Sequence, residues 1–174
     1  MLEAVLMGEI PRETTESFDQ VVRQRETQVL RTAFRILGNW ADAEDVAQEV
    51  FLRLHKNGLK FENEAAAGGW LYRVTVNLCV DRTRSARSAQ ELPELTSRER
   101  SAEATVLLEE KKQRLMEALG MLPAKERAAV VLREIEGLST AEVAAALGST
   151  EVTVRSQISK AMVKLRGILN REDV

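Results

Sequence analysis

Residues 137–169 read GLSTAEVAAALGSTEVTVRSQISKAMVKLRGIL and predict two helices joined by a tight turn. The serine–threonine pair 139–140 can cap the first helix, because Glu142 follows at the spacing of a capping box. Gly148 is expected to end that helix, since glycine adopts the left-handed C-cap conformation at little steric cost. The pair 149–150 can then cap the second helix. Two helices joined by a short glycine-containing turn form a helix-turn-helix, an arrangement that reads DNA.

The second helix of this pair is predicted to bury one apolar face. Its apolar residues recur at spacings of three and four, as they do in an amphipathic helix. The predicted stripe consists of Val154, Ile158, Ala161, Met162, Leu165, Ile168 and Leu169. Residues 153–171 contain five basic side chains and no acidic one, which favours DNA as the partner of the other face.

That polar face carries the candidate DNA contacts. The N-terminal residues of the second helix in a helix-turn-helix reach base edges in the major groove. Arg155 and Gln157 are suited to reading bases through bidentate hydrogen bonds. Phosphate contacts are expected from Ser156, Ser159, Lys160 and Lys164, and Thr153 also points away from the apolar stripe. An amphipathic hairpin with a solvated basic face would give the same pattern.

The composition favours an all-helical protein. The chain has 174 residues, of which 44% are hydrophobic and 30% charged, with only three prolines. Alanine, leucine, glutamate and arginine are abundant, and all four have high or adequate helix propensity. The net charge is −2 and the sequence pI is about 5.7. Because DNA binding usually draws on a large electrostatic contribution, we expect weak binding to DNA unless a partner holds the chain there.

Breaks in the hydrophobic pattern divide the chain into two predicted domains. Three N-terminal helices are expected, at 18–37, 42–56 and 70–84. A loop before the third contains Lys60, Phe61 and the small-residue run 65–69. Residues 85–103 lack a hydrophobic period and include Pro93, so they are predicted to form a flexible linker. The all-α architecture is therefore predicted to comprise helical domains at 16–84 and 104–170.

The sequence offers no catalytic or metal-binding set. Cys79 is the only cysteine and lies in an apolar helical stretch, so we expect a buried structural thiol and no internal disulfide. His55 is the only histidine and lacks the companions that a metal site needs. We therefore expect no enzyme activity and no cofactor. No signal peptide or membrane-length apolar run is evident, so a cytoplasmic protein without membrane insertion is expected.

An acidic helix face in the N-terminal domain is a second candidate surface. It is formed by Asp42, Glu44, Asp45 and Glu49, with no basic residue between Asp42 and Leu52. Gln48 adds a hydrogen-bonding group beside these carboxylates. The pattern is consistent with a docking face for a basic partner. A solvated surface with favourable charges at a helix N-terminus is the alternative.

The third predicted helix combines basic and aromatic residues. The basic residues are Arg73, Arg82, Arg84 and Arg87, and the nearby aromatic residues are Phe61, Trp70 and Tyr72. Aromatic rings stack on unpaired bases while cations follow the backbone, so this combination suits single-stranded nucleic acid. A core tryptophan with solvated arginines is the alternative.

In this order, the motifs resemble those of bacterial sigma factors of the sigma-70 family, particularly the small extracytoplasmic-function group. DAEDVAQEVF at 42–51 is similar to the family's region 2.2 helix, and WLYRV at 70–74 is similar to regions 2.3 and 2.4. The segments that resemble region 4 include Leu122-Pro123, Glu136-Gly137-Leu138-Ser139, Glu142-Val143-Ala144, Leu147-Gly148 and Thr153-Val154. The resemblance extends over about residues 18–170.

The resemblance implies partners and site residues. Docking on the β′ clamp helices of core RNA polymerase is implied for Asp42, Asp45, Gln48, Glu49 and Phe51. Contacts with the −10 promoter element are implied for Asn57, Lys60, Phe61, Trp70, Arg73, Asn77, Arg82 and Arg84. The recognition helix would read the −35 element through the DNA-contact residues between Thr153 and Lys164, and residues 115–136 would meet the β-flap. An anti-sigma factor is implied as the regulator.

Three features depart from the family pattern. Val152 stands where many relatives have glycine or another small residue before Thr-Val. Gln157 stands where arginine is frequent, so the −35 preference is expected to differ. The run 64–69 is unusually small and acidic before the tryptophan, which affects the expected −10 contacts.

Two other function classes remain open from the residues alone. A stand-alone helix-turn-helix regulator with an N-terminal sensing or dimerisation domain would bind duplex DNA tightly without polymerase. A DNA enzyme would need a defined site, for example a magnesium site built from carboxylates of the acidic helix.

Overall fold

The computed structural model describes residues 18–57, 61–88 and 103–171. These ranges are helical throughout apart from short connections, which confirms the predicted fold class. The helices are α1 (Phe18–Leu37), α2 (Trp40–Asn57), α3 (Glu64–Ser88), α4 (Glu103–Gly120), α5 (Ala124–Val130), α6 (Thr140–Leu147) and α7 (Glu151–Arg171). A π-helical segment, Val131–Ile135, follows α5 directly.

Helices α1, α2 and α3 form the N-terminal bundle. α1 packs along both other helices, and its Ile36 is fully buried together with Val50 of α2 and Val76 of α3. Asn39 caps α2, because its side-chain oxygen accepts a hydrogen bond from the backbone N–H of Asp42 at 3.2 Å. These contacts fix the acidic face of α2 beside the basic helix α3.

α3 is longer than the sequence predicted. It begins at Glu64 rather than Trp70, so the prediction of a loop at 65–69 is wrong. Asn63 supplies the cap by accepting a hydrogen bond from Ala66 N at 2.8 Å, and alanine has the highest helix propensity. α3 also ends at Ser88, four residues past the predicted end. The rest of the predicted linker, with Pro93, lies outside the described residues, as does Lys60.

The C-terminal half contributes many fully buried side chains, among them Leu122, Val131, Val143 and Val154. Met162 is an exception to the predicted stripe of α7, since it is 40% exposed. It follows Ala161 directly, and one residue of helix turns its side chain about 100° away from that buried position.

The helices of the helix-turn-helix are capped as predicted. Ser139 and Glu142 form a reciprocal capping box at the start of α6, and Gly148 ends that helix with φ of 58°. Thr150 caps α7 by accepting a hydrogen bond from Thr153 N at 3.2 Å. α7 packs against α5 and α6, so tertiary contacts hold it in the domain while its first turn stays exposed.

The two groups of helices pack against each other. α3 contacts α6 and α5, while α1 contacts α4 and the π-helical segment. Buried residues of both groups belong to one continuous hydrophobic cluster. The two predicted domains are therefore in direct contact. We call this packed state of the two groups of helices the closed arrangement.

Candidate nucleic-acid interface

The first half of α7 presents the predicted DNA-contact residues to solvent. Thr153, Arg155, Ser156, Ser159 and Lys160 are all exposed, and Lys164 continues the exposed face. The buried residues Val154, Ala161 and Leu165 hold the opposite side of the helix against the domain. Packing of the apolar stripe thus determines which side chains can enter a groove.

Two carboxylates neutralise cations of this face. Glu151 accepts a hydrogen bond from Arg155 at 3.0 Å, one turn along α7. Glu126 of α5 accepts one from Lys164 at 2.7 Å. The Arg155–Glu151 pair is exposed on both sides, and such pairs are worth about 0–1 kcal/mol, so a phosphate or a base can replace that carboxylate as partner.

Gln157 is placed differently from the other predicted base-reading residue. Its side chain is half-buried, and its Oε1 is buried without a hydrogen-bond partner among the described residues. Arg155 by contrast is exposed. Of the two predicted base readers, only Arg155 has an exposed side chain, and its partner Glu151 is exposed as well.

The acidic face of α2 is linked to α3 by one arginine. Arg82 donates to Asp42 at 2.7 Å and to Asp45 at 2.9 Å. Although burial lowers the pKa of the Arg82 guanidinium, the two carboxylates, Asp42 first, outweigh it and raise that pKa above its usual value. Arg82, predicted for the −10 contacts, is therefore brought together with two residues predicted for the polymerase contacts.

The other residues predicted for polymerase docking line or border an apolar groove between α1 and α2. Gln48 is exposed and Phe51 is half-buried in this groove, next to exposed Leu52. Glu49 is paired with Arg53 at 2.7 Å on the adjacent face. The surface thus combines carboxylates with apolar side chains, which suits a partner helix that is both basic and amphipathic.

α3 places most of the predicted −10 residues along one exposed face. Arg73, Asn77 and Arg84 are exposed, whereas Trp70 is half-buried. The ring centroids of Trp70 and Phe61 are 5.9 Å apart in a tilted arrangement. Asn57 is exposed at the end of α2.

The enzyme hypothesis would require a metal site or an activated nucleophile among the described residues. Among them, no group of three or more acidic, histidine or cysteine residues could hold a metal ion. Burial raises the pKa of the Cys79 thiol to about 12, so it stays protonated and unreactive at neutral pH. No helix in the described ranges is both long enough and apolar enough to cross a membrane.

A polar network that the sequence did not predict links the two halves of the molecule. Glu136, directly after the π-helical segment, forms an ion pair with Arg35 of α1 and accepts a hydrogen bond from the Tyr72 hydroxyl at 3.3 Å. Burial, and then the Glu136 charge, raise the pKa of Tyr72 to about 12, so the hydroxyl remains a donor. Residues this far apart in sequence show no local pattern that would reveal the contact.

Comparison with known proteins connects these surfaces to a family. The sigma-70 region 2 family matches residues 21–89, and the sigma-70 region 4 family matches residues 112–165. The chain is 38% identical over 159 residues to the ECF RNA polymerase sigma factor SigE of Mycolicibacterium smegmatis, an alignment that covers 88% of this chain and 62% of SigE. It is 32% identical over 158 residues to the ECF RNA polymerase sigma factor SigM of Mycobacterium tuberculosis, covering 88% and 77%.

A solved structure has the same fold. The sigma factor RpoE of Bartonella quintana, crystallised with the anti-sigma factor NepR, superposes with a TM-score of 0.72 at 23% identity. The match covers 88% of this chain and 96% of that one. Region 2 contains the acidic face of α2 and the basic helix α3, and region 4 contains the helix-turn-helix. The chain belongs to the extracytoplasmic-function group of the sigma-70 family of RNA polymerase sigma factors.

Proposed function

We propose that this sigma factor docks on core RNA polymerase through α2 and reads promoters through α3 and α7. The docking residues are Asp42, Asp45, Gln48, Glu49 and Phe51, facing the β′ clamp helices. α3 contacts the −10 element and α7 the −35 element, while residues 115–136, from the end of α4 through the π-helical segment, meet the β-flap. The chain acts as a non-enzymatic specificity subunit in transcription initiation, and the polymerase performs nucleotide addition.

The observation that carries this proposal is the separation of the two nucleic-acid faces. The exposed cations of α3 and those of α7 belong to different helical groups, joined through residues 89–102. The whole chain is near neutral, with a net charge of −2. Two faces with modest individual affinity gain when one scaffold engages both, because the second contact becomes intramolecular. Core polymerase is such a scaffold.

An anti-sigma factor is proposed as the regulator of this chain. This chain shares its fold with the sigma factor RpoE, which was crystallised with the anti-sigma factor NepR. The groove between α1 and α2, lined by Phe18, Leu30 and Phe51, offers such a protein an apolar surface beside the polymerase-docking residues. The proposed site of action is the cytoplasm, where polymerase and promoter DNA meet.

Titration of core RNA polymerase with the full-length chain tests the docking face. In the variant Asp45→Asn/Gln48→Ala, binding should weaken by at least tenfold, because a charge and a hydrogen-bonding group are removed from the centre of the proposed contact. The free energy of unfolding should change by less than about 1 kcal/mol, since both side chains are exposed.

A matched variant, Glu109→Gln/Gln113→Ala, makes the same chemical changes on exposed positions of α4 and should bind polymerase like the unmodified chain. Equal affinity of both variants would contradict the docking face. Tight duplex binding without polymerase would instead identify a stand-alone regulator.

A further inference from the structure

Val152 is an apolar side chain at an unusual place. It is the second residue of α7 and is 73% exposed, more than any other large hydrophobic residue in the described ranges. Single exposed hydrophobic residues are common on protein surfaces, so the exposure alone carries no meaning. Its position on the recognition helix is what points to a role.

Helix geometry puts Val152 at the centre of the outward face of α7. Relative to Val152, Ser156 and Ser159 lie within about 40° around the helix axis. The buried residues Val154, Ala161 and Leu165 lie about 140–180° away, so they hold the other side of the helix against the domain. The exposed cation Arg155 flanks this line. Any groove that receives Ser156 therefore receives Val152 as well.

Only one base offers an apolar group in the major groove of DNA. That group is the C5-methyl of thymine, whereas the other base edges present hydrogen-bond donors and acceptors. A valine has neither, so against cytosine, adenine or guanine it would displace water from polar atoms without replacing the hydrogen bonds. Against a thymine methyl, the contact removes apolar surface of both groups from water.

We propose that Val152 is a specificity-determining residue that contacts the C5-methyl of a thymine in the −35 element. This inference rests on the proposed function, because it requires that α7 enters the major groove at −35. The first turn of α7 is the part of the helix that reaches base edges, and the Thr150 cap keeps that turn helical. Val152 thereby adds methyl recognition to the hydrogen-bonding readout by Arg155.

The test removes the methyl group from the DNA rather than from the protein. Holoenzyme assembled from core polymerase and the full-length chain first selects promoters from a library with a randomised −35 segment. Each thymine of the selected segment is then replaced singly by deoxyuridine, which lacks only the C5-methyl. One replacement should weaken promoter binding by about fourfold, the effect of losing one buried methyl contact.

In Val152→Ala holoenzyme, that same replacement should weaken binding by less than about 1.5-fold, because alanine lacks the methyl groups that make the contact. Val163→Ala is the matched control. Val163 is 68% exposed on the same outward line, but lies about 16 Å further along α7 from the base-reading turn. Holoenzyme with this variant should keep the full fourfold sensitivity.

Several outcomes would overturn the inference. A selected segment without thymine, tolerance of every deoxyuridine replacement, or unchanged sensitivity in Val152→Ala would each do so. If Arg155→Ala still alters the selected −35 sequence in those cases, the proposed function stands and only the role of Val152 fails. If the selection yields no −35 preference at all, the proposed function itself fails.

Discussion

Arg127 is the buried charged residue that joins the helix ends of both halves. It is only 6% exposed and donates hydrogen bonds to the carbonyl oxygens of Ile36, Gly120 and Leu122. Carbonyls in the last turn of a helix lack intrahelical donors, so a guanidinium can satisfy several of them. We predict that Arg127→Met lowers the free energy of unfolding by about 3 kcal/mol, because carbonyls would be left without these donors. Urea denaturation measures this change.

Arg133→Met is the control for Arg127→Met. Arg133 is exposed on the π-helical segment and donates to the Leu138 carbonyl at 2.9 Å. Its replacement should cost about 1 kcal/mol or less, since water can take over an exposed bond. Equal costs for the two substitutions would show that Arg127 does not hold the helix ends together.

At the scale of the element, the start of α6 depends on its capping box. Ser139 Oγ accepts from Glu142 N at 3.2 Å, and the Glu142 carboxylate accepts from Ser139 N at 2.7 Å. We predict that Ser139→Ala costs about 1 kcal/mol, because a backbone donor loses its partner. The bond from the Ser139 backbone, and then its side chain, lower the pKa of Glu142 below its usual value.

The lowered pKa of Glu142 determines the direction in which the free energy of unfolding changes with pH. A carboxyl group whose folded-state pKa is depressed contributes stability above its unfolded pKa, and that stability is lost as pH falls through the folded value. Unfolding free energies measured from about pH 6 down to about pH 3 should therefore fall less steeply in Glu142→Gln than in the unmodified chain. Parallel curves would contradict a role for the ionised carboxylate in the cap.

Across the whole molecule, the direct packing of the two groups of helices conflicts with the proposed simultaneous contacts with both promoter elements. A compact chain of this length has a radius of gyration of about 16 Å. The −10 and −35 elements are about 85 Å apart along B-DNA, at about 3.4 Å per base pair. The two groups of helices must therefore separate before α3 and α7 can engage both elements.

The Glu136 network is expected to oppose that separation. Glu136→Gln removes the charge that pairs with Arg35, so the closed form should lose population. Spin labels on Gln24→Cys and Asn170→Cys, both exposed positions in different halves, would report the distance between them. Buried Cys79 can stay in place because its protonated thiol does not label. We expect longer and broader distances in the variant.

Glu134→Gln, on an exposed position of the same segment, should leave the distance distribution unchanged. An unchanged distribution in Glu136→Gln as well would show that the apolar contacts between α3 and α6 hold the closed form without it. Excess core polymerase should lengthen the distance in every variant that still docks.

Local sequence patterns were sufficient to predict most of the individual helices and their ends. Residues close in sequence decide a cap or a helix period, so Ser139, Glu142 and Gly148 predicted the ends of α6 correctly, and the apolar spacing predicted most of the buried face of α7. The prediction of a loop at 65–69 is wrong, because the three alanines and the Asn63 cap support a helix in which two glycines are tolerated.

The contacts between different helices depend on the tertiary structure. The pairing of Arg82 with Asp42 and Asp45, the burial of Arg127 and the contact of Glu136 with Arg35 join residues that are distant in sequence. Such contacts depend on the packing angle of whole helices, which the burial of many apolar side chains sets collectively. No local pattern encodes that angle. The sequence therefore indicated which residues of each helix are charged, polar or apolar, and the packing of the helices decided which charges are paired and which side chains stay exposed.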